Sequence, residues 1–136
     1  MKLVLTTIVL SVLMLVAAAA PALAHHAFSA EFDINKPATL TGVITRVDWI
    51  NPHAYLYLDV KDASGSVVNW HLETLPPLMA RRGGMTKDML PVGETVTVGA
   101  FLARDGSKLA WIKKISFADG RVLQVTAEEP AQTTQK

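Results

Sequence analysis

The segment His53–Val60 alternates polar and apolar residues with a period of two, and this pattern constrains the fold more than any other feature of the chain. Such alternation is typical of a β-strand that is buried on one face and solvated on the other. The predicted inner residues are Ala54, Leu56, Leu58 and Val60, and the predicted outer residues are His53, Tyr55, Tyr57 and Asp59. Ala63-Ser64-Gly65 follows as a tight turn, and Ser66–Thr74 is predicted to be the return strand, with Val68, Trp70 and Leu72 facing the core.

Four further strands are predicted from runs rich in β-branched and aromatic residues, at 39–49, 95–102, 109–117 and 121–125. Gly42 in the first run suits a β-bulge or a bend. A short helix is predicted between Pro76 and Arg82, because prolines are tolerated in a first turn and Gly83-Gly84 ends it.

Three strands, a helix and two strands is the order of the OB-fold. We therefore predict an all-β domain, a small OB-like five-stranded barrel with one short helix between strands 3 and 4. The alternative is an open β-sandwich, and pairing of the first strand with the fourth would distinguish the two.

The turn also predicts a register. A three-residue loop with Gly65 in the left-handed conformation pairs Asp62 with Ser66 and places Tyr57 opposite His71. His53 then lies four residues further along, roughly 13 Å from His71 at a rise of about 3.3 Å per residue. Metal–nitrogen bonds are only about 2 Å long. A metal site shared directly by these two histidines is therefore not expected.

The beginning of the chain is typical of a secretory signal peptide. Lys2 supplies a positive start, residues 3–20 are almost wholly apolar, and Ala22-Leu23-Ala24 has the small residues of a cleavage site. Cleavage between Ala24 and His25 predicts a soluble periplasmic or secreted protein with no stable membrane insertion. The predicted organisation is a signal peptide at 1–24, an N-terminal arm at 25–38, the barrel at 39–125 and a disordered tail at 126–136.

Composition limits the partners. Lys2 leaves with the leader, so the 13 basic residues become 12 and balance the 12 acidic ones. A formally neutral chain argues against a nucleic-acid partner, which requires a positive surface. The cysteine count is zero, so neither a disulfide nor a thiolate metal site is available. The remaining predicted partners are a metal ion or another protein of the cell envelope.

The predicted mature terminus begins with two histidines, His25 and His26. A free α-amino group beside an imidazole forms a chelating pair, and such nitrogen ligands suit Cu(II). His53 is the best candidate for a distant third ligand, which gives a predicted copper site at His25, His26 and His53. Two plainer interpretations stay open: the histidine pair is a flexible polar start, and His53 caps the end of a strand.

A second hypothesis is a module that binds a protein, glycan or small ligand on an aromatic strand face, formed by Trp49, Tyr55, Tyr57 and His71. An accessory subunit of an enzyme falls under this hypothesis. Catalysis by the chain itself is not expected. The sequence contains no nucleophile motif, and Glu31, Asp33 and Asp48 form no recognisable acid–base pair.

Several short motifs together resemble an uncharacterised bacterial family of short exported proteins, a domain of unknown function. They include His25-His26-Ala27-Phe28, Leu40-Thr41-Gly42, Trp49-Ile50-Asn51-Pro52-His53 and Asn69-Trp70. The similarity covers nearly all of the predicted mature chain. It implies export and supplies no activity, and His71 lies outside the shared pattern.

Overall fold

The computed structural model describes residues 28–125. Residues 28–31 are helical, and a compact unit begins at Phe32. The described part of this unit contains six strands: β1 (Phe32–Asp48), β2 (Tyr55–Lys61), β3 (Val67–Glu73), β4 (Thr95–Ala103), β5 (Leu109–Phe117) and β6 (Val122–Gln124). A connecting helix (Pro77–Arg82) and a 3₁₀ turn (Lys87–Met89) lie between β3 and β4. Within residues 28–125, no helix combines the length and apolar character needed to cross a membrane.

The strands form one sheet in the order β3-β2-β1-β4-β5-β6, and β3 also pairs in parallel with β5. This last pairing joins residues 71–73 to residues 109–111 and closes a ring of five strands. β1 pairs with β4 from Pro37 to Val43, which is the observation expected of a barrel. The predicted all-β, OB-like barrel is confirmed, and the open sandwich is wrong because all six described strands belong to one continuous sheet.

The barrel core forms where the period-two pattern places it. Leu56, Leu58 and Leu72 are fully buried, and Trp70 and Val60 pack against them from partly exposed positions. From the other strands, the core receives mainly aliphatic side chains: Leu40, Ile44, Val47, Val96, Val98, Ile112 and Ile115. The hydrophobic effect drives the burial of these side chains. Because they contact one another, they form one continuous core.

The first hairpin has the predicted register. Tyr57 lies opposite His71, the Asp62 amide donates to the Ser66 carbonyl at 2.9 Å, and Gly65 has a φ of 84°. The predicted helix is also present, beginning at Pro77 and ending at Arg82. The fifth strand has the predicted bounds, Leu109–Phe117.

β1 differs from its prediction in two respects. It begins at Phe32 rather than at residue 39, because Phe32 is buried and pairs with Ala103 before four residues bulge out ahead of Pro37. The regular bulge lies at Thr45, between Ile44 and Arg46, and not at Gly42. Gly42 stays in register with both neighbouring strands, and a Cβ there would lie 2.3 Å from the Asp59 carbonyl oxygen. Close strand approach, rather than a bulge, requires the glycine.

Candidate functional site

A polar hollow lies on the outer face of β1, β2 and β3. It has a volume of about 400 Å³ and is lined by Thr45, Arg46, Tyr57, Asn69 and His71. Two of the four residues predicted for an aromatic ligand face, Tyr57 and His71, therefore line one concave surface. Volumes of about 300–1,000 Å³ are usual for small-ligand sites. We refer to this surface below as the outer hollow.

The bulge at Thr45 builds one wall of the outer hollow. Regular alternation along β1 would direct Arg46 to the same face as the buried Ile44. The extra residue at the bulge breaks the alternation, so that Thr45 and Arg46 are both exposed between the buried Ile44 and Val47. Arg46 consequently lies opposite Tyr57 in the ladder. Bulges re-aim side chains in this way and are over-represented beside active sites.

The aromatic ring of Tyr57 is held between two nitrogen-rich side chains. The Arg46 guanidinium carbon lies 3.8 Å from the ring centroid, which is a cation–π contact. The His71 ring meets Tyr57 edge-on, with centroids 4.7 Å apart. Arg46 also donates to the Asp48 carboxylate at 3.0 Å. These contacts fix the side chains of the outer hollow before any ligand arrives.

Asn69 is fixed from the opposite side of the outer hollow. Its amide nitrogen donates to Asp59 Oδ1 at 2.7 Å and to Thr45 Oγ1 at 3.4 Å. The Thr45 hydroxyl in turn donates to the Tyr57 carbonyl at 3.3 Å. The Asn69 carbonyl oxygen, the Tyr57 hydroxyl and the His71 ring nitrogens have no hydrogen-bond partner in the described part of the chain. They remain available to a ligand.

A second polar cluster lies beside the start of β2. The His53 Nδ1 meets one oxygen of the Glu73 carboxylate, and the Tyr55 hydroxyl donates to the other oxygen at 3.3 Å. The His53 ring also lies edge-on against Trp111, with centroids 5.8 Å apart. His53 is thus oriented by a carboxylate and an indole, while its side chain is 36% exposed.

Sequence prediction missed Glu73, as it missed Thr45, Arg46 and Asn69 of the outer hollow. The place of Glu73 in the alternation puts it on the polar face with Asn69 and His71, but it is only 5% exposed. The cause is the closure of the ring, because Glu73 pairs with Trp111 across the parallel seam. The predicted register already sets Tyr55 opposite Glu73, as observed, and that pairing was the available signal.

The remaining predicted site residues do not join either cluster. Trp49 packs against the core, and its Nε1 is buried without a hydrogen-bond partner within residues 28–125. His25 and His26 lie outside the described residues. In the described range, no group of three or more histidine, cysteine, aspartate or glutamate side chains is placed to hold a metal ion. His53 and His71 contact different partners, Glu73 and Tyr57 respectively.

Another groove, of about 480 Å³, shares Thr45 and Arg46 with the outer hollow. Its other lining residues are largely aliphatic or charged: Val47, Lys87, Asp88, Leu90, Pro91 and Val92. Arg46 therefore lies between the polar outer hollow and this groove, which has both aliphatic and charged lining residues. The polar hollow is the better site for a ligand that must be oriented, because its hydrogen-bonding groups are already fixed.

Comparison with known proteins gives a family and no activity. A model described as a family of unknown function, DUF6152, matches residues 12–111. No curated protein and no solved structure matches the chain.

Proposed function

Because the chain belongs to this family of unknown function, we propose a function from its own geometry: an exported protein that binds a small polar ligand in the outer hollow. The observation that carries the proposal is the bulge at Thr45, which turns Arg46 out of the core and onto Tyr57. Export is supported by the apolar leader and the Ala22-Leu23-Ala24 cleavage pattern. The hollow is preorganised, which lowers the conformational cost of binding.

Shift mapping by ¹H–¹⁵N NMR with a panel of neutral sugars, sugar acids and free amino acids tests the proposal. We expect the shifts to cluster at the five residues that line the outer hollow. Tyr57→Phe should weaken binding, because it removes the hydroxyl of a residue that lines the hollow. Tyr55→Phe is the matched control, since the Tyr55 hydroxyl bonds to Glu73 and its ring does not line the hollow. Absence of binding by every class of probe, or shifts centred elsewhere, would refute the proposal.

A second candidate function is binding of Cu(II), and the pair His25-His26 directly after the predicted cleavage site favours it. Amine and imidazole nitrogens from one terminus form a chelate without a preformed pocket. The contact of His53 Nδ1 with the Glu73 carboxylate is a separate observation in its favour. With Nδ1 bonded to Glu73, a neutral imidazole keeps its lone pair on Nε2. Metal-binding histidines are commonly oriented by a carboxylate in this manner.

Titration with Cu(II), followed by electron paramagnetic resonance, tests the copper proposal on protein whose intact mass begins at His25. A variant with one extra residue ahead of His25 displaces the amine and keeps both rings, so it should bind far more weakly. His53→Gln tests the third ligand, and His71→Gln is its control. Equal binding by the native and extended forms, or affinity no tighter than micromolar, would eliminate this function.

A further inference from the structure

We infer that the ligand of the outer hollow is a sugar acid, bound through one carboxylate and several hydroxyl groups. The inference rests on the proposed binding function and names the chemistry that the hollow selects. It follows from the charge of the lining residues, from their hydrogen-bonding groups and from the way Tyr57 is covered.

The charge of the outer hollow matches a single negative group. Arg46 is the one lining residue with a permanent charge, and none of the other four is acidic. Asp48 takes one hydrogen bond from Arg46 Nη2 at 3.0 Å, which leaves the other guanidinium nitrogens for a ligand. Guanidinium groups bind carboxylates in a fork geometry. A single cation that is already partly neutralised suits one carboxylate better than a doubly charged phosphate or a polyanion.

The lining residues other than Arg46 favour a hydroxylated ligand. Thr45, Tyr57, Asn69 and His71 all carry polar atoms, and no lining side chain is wholly aliphatic. The Asn69 carbonyl oxygen accepts hydrogen bonds, while the Tyr57 hydroxyl donates or accepts them. An apolar acid would leave these groups desolvated and without partners, which costs free energy. A sugar ring that carries a carboxylate supplies both kinds of partner.

The covering of Tyr57 disfavours ring stacking on the face that Arg46 occupies. One face of the Tyr57 ring is occupied by Arg46 at 3.8 Å, and the His71 ring lies 4.7 Å away, edge-on. A neutral sugar that stacked on the face covered by Arg46 would have to displace the guanidinium. On that face, a ligand therefore meets Arg46 before it meets the Tyr57 ring.

Isothermal titration calorimetry with galacturonic acid, its trimer and the methyl ester of each tests the inference, with NMR shift mapping to locate binding. We expect the acids to bind at least tenfold more tightly than the esters, and Arg46→Gln to abolish this difference. Arg121→Gln is the matched control. Arg121 also covers an aromatic ring, that of Phe117 at 4.1 Å, and pairs with Asp119 at 2.6 Å, yet it does not line the hollow. Thermal unfolding of each variant checks that the barrel stays folded.

The possible outcomes separate the inference from the function on which it rests. Equal binding of acids and esters at the hollow overturns the sugar-acid inference and leaves the binding function standing. Displacement by acetate as effective as by galacturonate identifies a simple anion site and also overturns the inference. Tighter binding of the trimer than of the monomer indicates a glycan chain as the source of the carboxylate, and equal binding indicates a free sugar acid. If neither these saccharides nor the wider panel shifts the lining residues, both proposals fail.

Discussion

A methyl group added at Gly42 tests a close approach of two strands in the barrel. The Cβ of an alanine there would lie 2.3 Å from the Asp59 carbonyl oxygen and 2.9 Å from its carbonyl carbon. Both are backbone atoms of β2, so they cannot move away by a change of rotamer. We expect Gly42→Ala to lower the free energy of unfolding by about 2 kcal/mol, as overpacking does in other cores. Urea denaturation monitored by tryptophan fluorescence measures the change.

Gly99→Ala is the control for this prediction. Gly99 also lies in a strand, but its added Cβ would meet the flexible side chain of Lys114, with Cγ at 3.3 Å. Lys114 is exposed and can shift, so we expect stability within about 0.5 kcal/mol of the native chain. Equal destabilisation by the two substitutions would show that loss of glycine itself, and not the contact with Asp59, causes the effect.

Gly42 also shows what the sequence could not predict about a single residue. A glycine inside a strand pattern predicts either a bulge or a close backbone approach. The sequence gives no basis for choosing, because the choice depends on a neighbour, Asp59, which is 17 positions away. The actual bulge residue, Thr45, has an ordinary strand side chain and carries no local signal.

At the scale of elements, three turns are stabilised by the same kind of hydrogen bond. Asp62, Asp105 and Asp119 each accept a hydrogen bond at Oδ1 from the amide two residues later, at 2.8, 2.9 and 3.0 Å. Such Asx turns fix the chain reversal and so the register of the flanking strands. In the first hairpin, this hydrogen bond accompanies the three-residue loop from which the register was predicted.

The Asp62 turn has a predictable dependence on pH. A hydrogen bond from the Ser64 hydroxyl, aided by the Ser66, Ser64 and Gly65 amides, lowers the pKa of Asp62 below its ordinary value of 3.8. A carboxyl group whose pKa is lower in the folded state contributes stability above the unfolded pKa. That contribution is lost as the pH falls below 3.8 and through the lowered value. We expect carboxyl ¹³C NMR to show Asp62 titrating below 3.8.

Ser64→Ala supplies the control, since it removes the largest cause of the shift. The pKa of Asp62 should then rise towards 3.8, while Asp105, in a different turn, should titrate unchanged. An Asp62 pKa that is the same with and without Ser64 would contradict the assignment of the hydroxyl as the main cause.

At the scale of the whole molecule, local patterns predicted the strands and the barrel. They did not predict which side chains become buried when the ring of strands closes. The alternation of β3 assigns Glu73 to the solvated face. Its burial results from the parallel pairing of β3 with β5, which joins segments almost 40 residues apart. No local pattern carries that information. The outer hollow was partly predictable, because the turn register set Tyr57 opposite His71, but Arg46 enters it only through the bulge.

The seam between β3 and β5 is the shortest pairing in the ring, since it spans only residues 71–73 and 109–111. His71 and Glu73, which belong to the two polar clusters, both lie on it. Leu72 is the fully buried residue between them and pairs with Ala110. We expect Leu72→Ala to lower the free energy of unfolding by about 2–5 kcal/mol, the usual cost of such a cavity. Amide hydrogen exchange should accelerate first across the seam, and later between β1 and β4, where the pairing is longer.

Val67→Ala, on the same strand but exposed, should change stability by no more than about 0.5 kcal/mol. Uniform acceleration over all strands in Leu72→Ala would show that the barrel opens as one unit, and that the seam is not a separate point of opening.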